Sequence, residues 1–82
     1  MEAKEKENLS NWYGIPAEVI LWYNSGICYS RLMVSTKAAA LKAARKVKGR
    51  TVNGGWFHGM PLGVINRVAA TTSHPACWEV IV

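Results

Sequence analysis

Apolar and polar positions along this chain change their spacing from segment to segment, and the changes predict its elements. MEAKEKEN, residues 1–8, mixes charges without an apolar period. Residues 1–11 are therefore expected to be flexible or partly ordered, a frayed tail or one helical turn. WYGIPAE follows, aromatic but broken by Gly14 and Pro16, and reads as an irregular lead-in. Two β-favouring runs then flank Asn24-Ser25-Gly26. They predict a hairpin with Gly26 at positive φ in its turn. Alternation within these runs is poor, because Ile20 and Trp22 oppose Val19, Leu21 and Tyr23. Both faces of the hairpin are thus apolar. One should meet a helix, and the other should bind a partner or lie under another segment.

The spacing becomes helical after Ser35-Thr36, either of which can cap a helix start. Ala39, Ala40, Ala43, Ala44 and Val47 share one arc, with Leu41 on its flank. Gly49 stands where a helix stop is expected. Beyond it, RTV reads as a short strand, NGG as a turn, WF as extended and GMPLG as a second turn. VINRVAA and CWEVIV read as strands separated by TTSHP. The expected fold is α+β. A single domain over residues 12–82 would carry a mostly antiparallel sheet of four to five strands, with one amphipathic basic helix on one face.

Composition sharpens this picture. A chain of 82 residues buries about 60% of its unfolded surface, so its core is thin. Four Trp supply a large share of the apolar area on offer. Formal net charge is +5, and it is unevenly placed. From residue 9 onward there are eight Lys and Arg against Glu18 and Glu79, and Asp is absent. Such a surface favours polyanions or acidic proteins. The longest apolar run, VILWY, is far short of the roughly 20 residues a membrane span needs. The charged start lacks the apolar core of a signal peptide. A cytoplasmic location, in a host cell, with Cys28 and Cys77 reduced is the simplest expectation, although spacing alone leaves their pairing open.

The densest charge lies in KAAALKAARKVKGR, residues 37–50, with six cations and no acid. Lys42, Arg45 and Lys46 fall opposite the alanine arc and form its expected partner-facing centre. Lys37 and Lys48 lie nearer its edge, and Arg50 falls beyond the helix stop. No Glu stands at i±4 to neutralise these cations, which favours a binding surface over a merely solvated face. Trp56 and Phe57, in the glycine-rich VNGGWFHGMPLG, allow two readings. They plug the open end of a small core, or they anchor a partner. The glycines fit neither a P-loop nor a dinucleotide fingerprint. His58, His74, Cys28 and Cys77 lack the paired-Cys spacing of a zinc site or a local nucleophile signature. With carboxylates so scarce, no metal, no cofactor and no enzymatic activity are expected.

The hairpin followed by STKAAALKAARKVKG resembles two known layouts over residues 18–60, in element order and in the Ser/Thr-x-x-x-Ala-x-x-x-Ala rhythm of the helix. One is that of small bacteriophage-encoded inhibitors, including anti-CRISPR proteins built strand-strand-helix-strand-strand. The other is the arm-type DNA-binding domain of phage integrases, which has a third strand before its helix where this chain has two. The first resemblance implies a non-catalytic, phage or mobile-element protein. It would occlude a host defence or nucleic-acid-handling protein stoichiometrically, its basic helix meeting an acidic or nucleic-acid-binding surface. Direct, largely non-specific DNA or RNA binding is the alternative. A third reading is a structural or assembly protein, a homodimer through the apolar sheet.

Overall fold

Two central strands, β2 (Ser30–Val34) and β4 (Cys77–Ile81), hold the most buried side chains of a four-stranded antiparallel sheet. The computed structural model describes residues 1–82. Helix α1 (Ala3–Tyr13) leads through a 3-10 turn (Ala17–Val19) into β1 (Ile20–Ser25) and then β2. Helix α2 (Lys37–Val47) follows, then a second 3-10 turn (Gly55–Phe57), β3 (Ile65–Val68) and β4. Spatial order is β1-β2-β4-β3, so the chain reaches the far edge before returning to the middle. The fold is α+β, as the spacing predicts.

Helix α2 forms where the alanines recur. Thr36 Oγ1 accepts the Ala39 N–H at 3.2 Å and closes the first turn. Gly49, at φ 91°, then turns the chain away. Ala39, Ala40, Ala43, Ala44 and Val47 are all buried. Their short side chains let the helix lie close to Leu32, Val34 and Val80 of the sheet.

A bulge explains the broken alternation in β1. Ile20 pairs with Val34 and Trp22 with Met33, so two residues of β1 advance against one of β2. Leu21 is the extra residue. Ile20 and Tyr23 consequently share the core face although they stand three apart, while Trp22 turns to the outer face. That outer face is not open. Met33, Cys77 and Ile81 are buried. His74, from the loop joining β3 to β4, lies 5.2 Å from the Trp22 ring on the opposite edge strand, so this loop crosses the sheet.

Three local expectations are corrected. The N-terminal segment is no frayed tail or single turn. It is an eleven-residue helix that ends by burying Tyr13 in the core, with Leu9 packed alongside. Leu9, Trp12 and Tyr13 stand at i, i+3 and i+4, one helical face, behind a run of good helix formers. RTV makes only the single bridge Thr51 to Pro61, because the Val52 N–H already donates to Met60 O at 2.9 Å and closes a loop. WF is not extended. Gly54 and Gly55, at φ 137° and 66°, turn the chain into the 3-10 turn.

The hairpin is present, but its turn starts two residues later than Asn24-Ser25-Gly26. Ser25 still pairs with Ser30, and the Gly26 N–H donates to Tyr29 O at 3.0 Å, leaving Ile27 and Cys28 at the tip. Gly26 is not among the positive-φ glycines. Its requirement is steric, since a Cβ there would collide with the Tyr29 carbonyl oxygen.

Two outcomes follow from these constraints. Gly26→Ala and Gly26→Asn should both destabilise the fold by about 1–3 kcal/mol, the usual cost of overpacking. A left-handed site would spare Asn relative to Ala, so a clearly milder Asn variant in urea denaturation would overturn the steric assignment. The second outcome concerns pH. Burial, and secondarily Tyr23, raises the Tyr13 pKa. Burial also raises that of the Cys77 thiol, with Arg67 opposing and Glu79 reinforcing. Both groups are favoured neutral in the fold. Their contribution is complete below the ordinary values of 10.0 for Tyr13 and 9.0 for Cys77 and is lost as pH rises through the higher folded values. The denaturation midpoint should therefore fall in alkali, and less steeply in Tyr13→Phe with Cys77→Ala. An equal slope in that variant would refute the assignment.

Candidate functional site

The C-terminus of α1 places an aromatic ring beside the basic face of α2. Gly14 ends α1 at φ 68°, its N–H returning to Ser10 O at 2.8 Å. A left-handed residue here costs glycine little and lets the chain turn at once. Tyr13 enters the core, whereas Trp12 remains 61% exposed. Lys42, Arg45 and Lys46, all exposed, border a cleft of about 370 Å³ with Trp12 and Asn11. Lys46 Nζ stands over the Trp12 ring, 5.5 Å from its centre. Lys42 runs its stem over Gly14, where an added Cβ would lie 3.5 Å from Cε.

These cations have no acidic counterpart. The one ion pair of the fold joins Arg31 to Glu79 at 3.3 Å on the outer face, where Asn66 also donates to Glu79 at 3.0 Å. The cation–π contact of Lys46 contributes about 0.5–1 kcal/mol when exposed, and it leaves the charge unneutralised. The cleft is thus an unpaired positive surface with one large aromatic side chain in it. It suits carboxylates or phosphates.

The other basic candidates disperse. Lys37, at the first position of α2, stands 5.6 Å over the Trp78 ring, and Arg67 approaches the same ring at 4.9 Å. Lys48 caps the helix end, its backbone close to Gly63. Arg50 is exposed beyond the stop, its carbonyl accepting from Leu62 N–H at 3.0 Å.

Trp56 and Phe57 belong to a different surface. The core-plug reading is overturned for Trp56, which is fully exposed, and Phe57 is 46% exposed. The reason is the loop from Arg50 to Leu62. It closes on its own backbone and anchors itself through buried Val52, not through the tryptophan. Phe57 meets Tyr29 edge to face at 5.2 Å. The hairpin tip and this loop enclose a groove of about 520 Å³ that also takes in Asn24 and Arg31. Those two residues project from the sheet face opposite α2. The basic cleft and the aromatic groove are therefore separate.

Cys28 and Cys77 are both free thiols, the former at the hairpin tip and the latter buried in β4. His74 places Nδ1 2.8 Å from Pro75 O and its ring on Trp22. No three His, Cys, Asp or Glu side chains converge. No helix is long and apolar enough to cross a membrane.

Comparison of the chain with models of protein families, with curated proteins and with solved structures finds no match. Trp12, Tyr13 and Gly14 escape a reading based on charge. Their signal is the NWYG string ending a helical Leu9-Trp12-Tyr13 face. The groove's Ile27 escapes too, since a hairpin turn placed two residues earlier puts it in a strand.

Gly55 carries the junction between loop and hairpin. It sits at φ 66°, and an added Cβ would lie 2.6 Å from Cys28 Sγ. Gly55→Ala should cost about 1–3 kcal/mol, as a non-glycine residue in this region does. Adding Cys28→Ala should recover the steric part and leave the backbone part. Denaturant titration of both variants checks this, and complete recovery would show that φ plays no role.

Proposed function

We propose that the chain is a small non-catalytic binding protein whose basic cleft engages an acidic protein surface and occludes it stoichiometrically. The observation that carries this reading is the group of Lys42, Arg45 and Lys46 around exposed Trp12, none of them in an ion pair. Fixed, unneutralised charge speeds encounter with an oppositely charged partner. The flanking aromatic ring is of a kind enriched at interface hot spots. A standard interface takes about 800 Å² from each partner, a modest share of the 5359 Å² this fold exposes. The strand-strand-helix-strand-strand order that follows α1 supports placing it among proteins that phages and mobile elements use against host defence or nucleic-acid-handling proteins.

Direct nucleic-acid binding is the second reading, and exposed Trp12 among cations is the observation that favours it. It ranks lower because the Lys46 ammonium already stands over that ring. A base stacking on that side must displace it.

The test is Lys42→Glu, Arg45→Glu and Lys46→Glu together. Circular dichroism should show an unchanged fold, because exposed helix positions usually shift stability by less than about 0.5 kcal/mol each. Pull-down with wild type should retain an acidic protein that the triple variant releases. A nucleic-acid ligand would instead show a log–log salt slope of about −0.9 per phosphate contacted, hence about −2.7 for three cations. Equal retention by wild type and triple variant would make the cleft a solvated face only.

A further inference from the structure

The groove at the hairpin tip has no part in the reading above. Ile27 and Trp56 stand at its two rims, and both are fully exposed. Scattered surface hydrophobes are ordinary, but two large ones facing one groove form a patch. The main chain that carries Trp56 is closed on itself. The loop is closed by Val52 N–H to Met60 O and Gly59 N–H to Val52 O, both at 2.9 Å, and by Met60 N–H to Phe57 O at 2.9 Å. Positive φ at Gly54, Gly55 and Gly59 gives that loop its shape. On the opposite wall the Tyr29–Phe57 contact joins hairpin to loop, so the groove is preformed. A preformed wall and loop backbone lose little conformational entropy on binding.

Charge identifies the occupant. Arg31, the charged residue of the groove, is already tied to Glu79 at 3.3 Å, so the groove is close to neutral. That suits an uncharged apolar segment and poorly suits a phosphate backbone, which needs unpaired Lys or Arg. A second copy of the chain is disfavoured for another reason. From residue 9 onward the chain carries eight Lys and Arg against two Glu, so two bodies repel. We infer that the groove between Ile27 and Trp56 is a docking site for an apolar segment of an acidic protein. The side chains of that segment would pack between the two rims and over Tyr29 and Phe57.

Cys28 provides a probe for this site. Its thiol borders the groove, whereas Cys77 is fully buried. The full-length protein is used to select from a displayed library of short random peptides. Enriched sequences should have an apolar centre free of Lys and Arg, with Asp or Glu on the flanks. The selected peptide, synthesised, should slow alkylation of Cys28 by iodoacetamide in the wild-type protein. Its affinity should fall by more than about 30-fold in Ile27→Ser with Trp56→Ser, the loss expected of hot-spot residues. Both side chains are exposed, so that variant keeps its core, and the alkylation measurement needs no variant at all. Lys42→Glu with Arg45→Glu and Lys46→Glu should still bind the peptide and protect Cys28, which separates this site from the basic cleft. Equal affinity in the Ile27 and Trp56 variant, or unprotected Cys28, overturns the inference. Protection by oligothymidine would reassign the groove to nucleic acid. Self-protection that rises with protein concentration, with a dimer in sedimentation, would reassign it to a second copy.

Discussion

The close approach of four alanines to two central strands sets the rest of the molecule. Ala39, Ala40, Ala43 and Ala44 have no bulk to hold α2 away from β2 and β4. Burial of such small side chains yields little apolar area, so the core must draw on other elements. Tyr13 from α1, Ile15 from the connection after it, and Ile20 from β1 fill it from the sides. The same stripe fixes the polarity of the helix. With one face given to alanine, every Lys and Arg of α2 is turned to solvent. The positive surface is thus a geometric consequence of a tight helix–sheet contact.

Helix α1 serves both sides of that arrangement. Tyr13 completes the core beneath α2, and Trp12, its neighbour in sequence, remains outside beside Lys46. One helix terminus therefore couples packing to the shape of the cleft. The glycine after it makes the coupling tight, because its left-handed φ of 68° turns the chain at once beneath the Lys42 stem. The second surface is built from different materials. It has a hairpin tip, a glycine-shaped loop and almost no net charge. A protein of this size thus presents two chemically distinct faces, one long-range and electrostatic, the other short-range and apolar.

Much of the fold was legible because it follows local periodicity. The alanine arc, the Thr36 cap, the hairpin strands and the last two strands each rest on spacing or turn residues within one segment. What escaped depends on contacts between segments. The bulge at Leu21 converts a two-residue period into a three-residue one, and only pairing with Met33 and Val34 reveals it. Helix α1 owes its order to Tyr13 and Leu9 meeting a core that the first eleven residues do not contain. The central cations of the cleft were legible, since Lys42, Arg45 and Lys46 share a wheel face. Their companion Trp12 was not, because its partner lies more than thirty residues away. Trp56 illustrates the converse. Aromatic residues between glycines read either as a core plug or as a partner anchor, but Val52 takes the buried place and leaves the tryptophan outside.

The loop around Trp56 also separates the shape of a surface from its chemistry. Its path is written in glycine torsions, main-chain hydrogen bonds and one inward valine. None of these involves the indole. Residue 56 can therefore diverge, by drift or by design, without renegotiating the fold, while the glycines around it cannot. A lineage could retarget this protein by changing one exposed side chain on a constant frame, much as a tool handle accepts different blades.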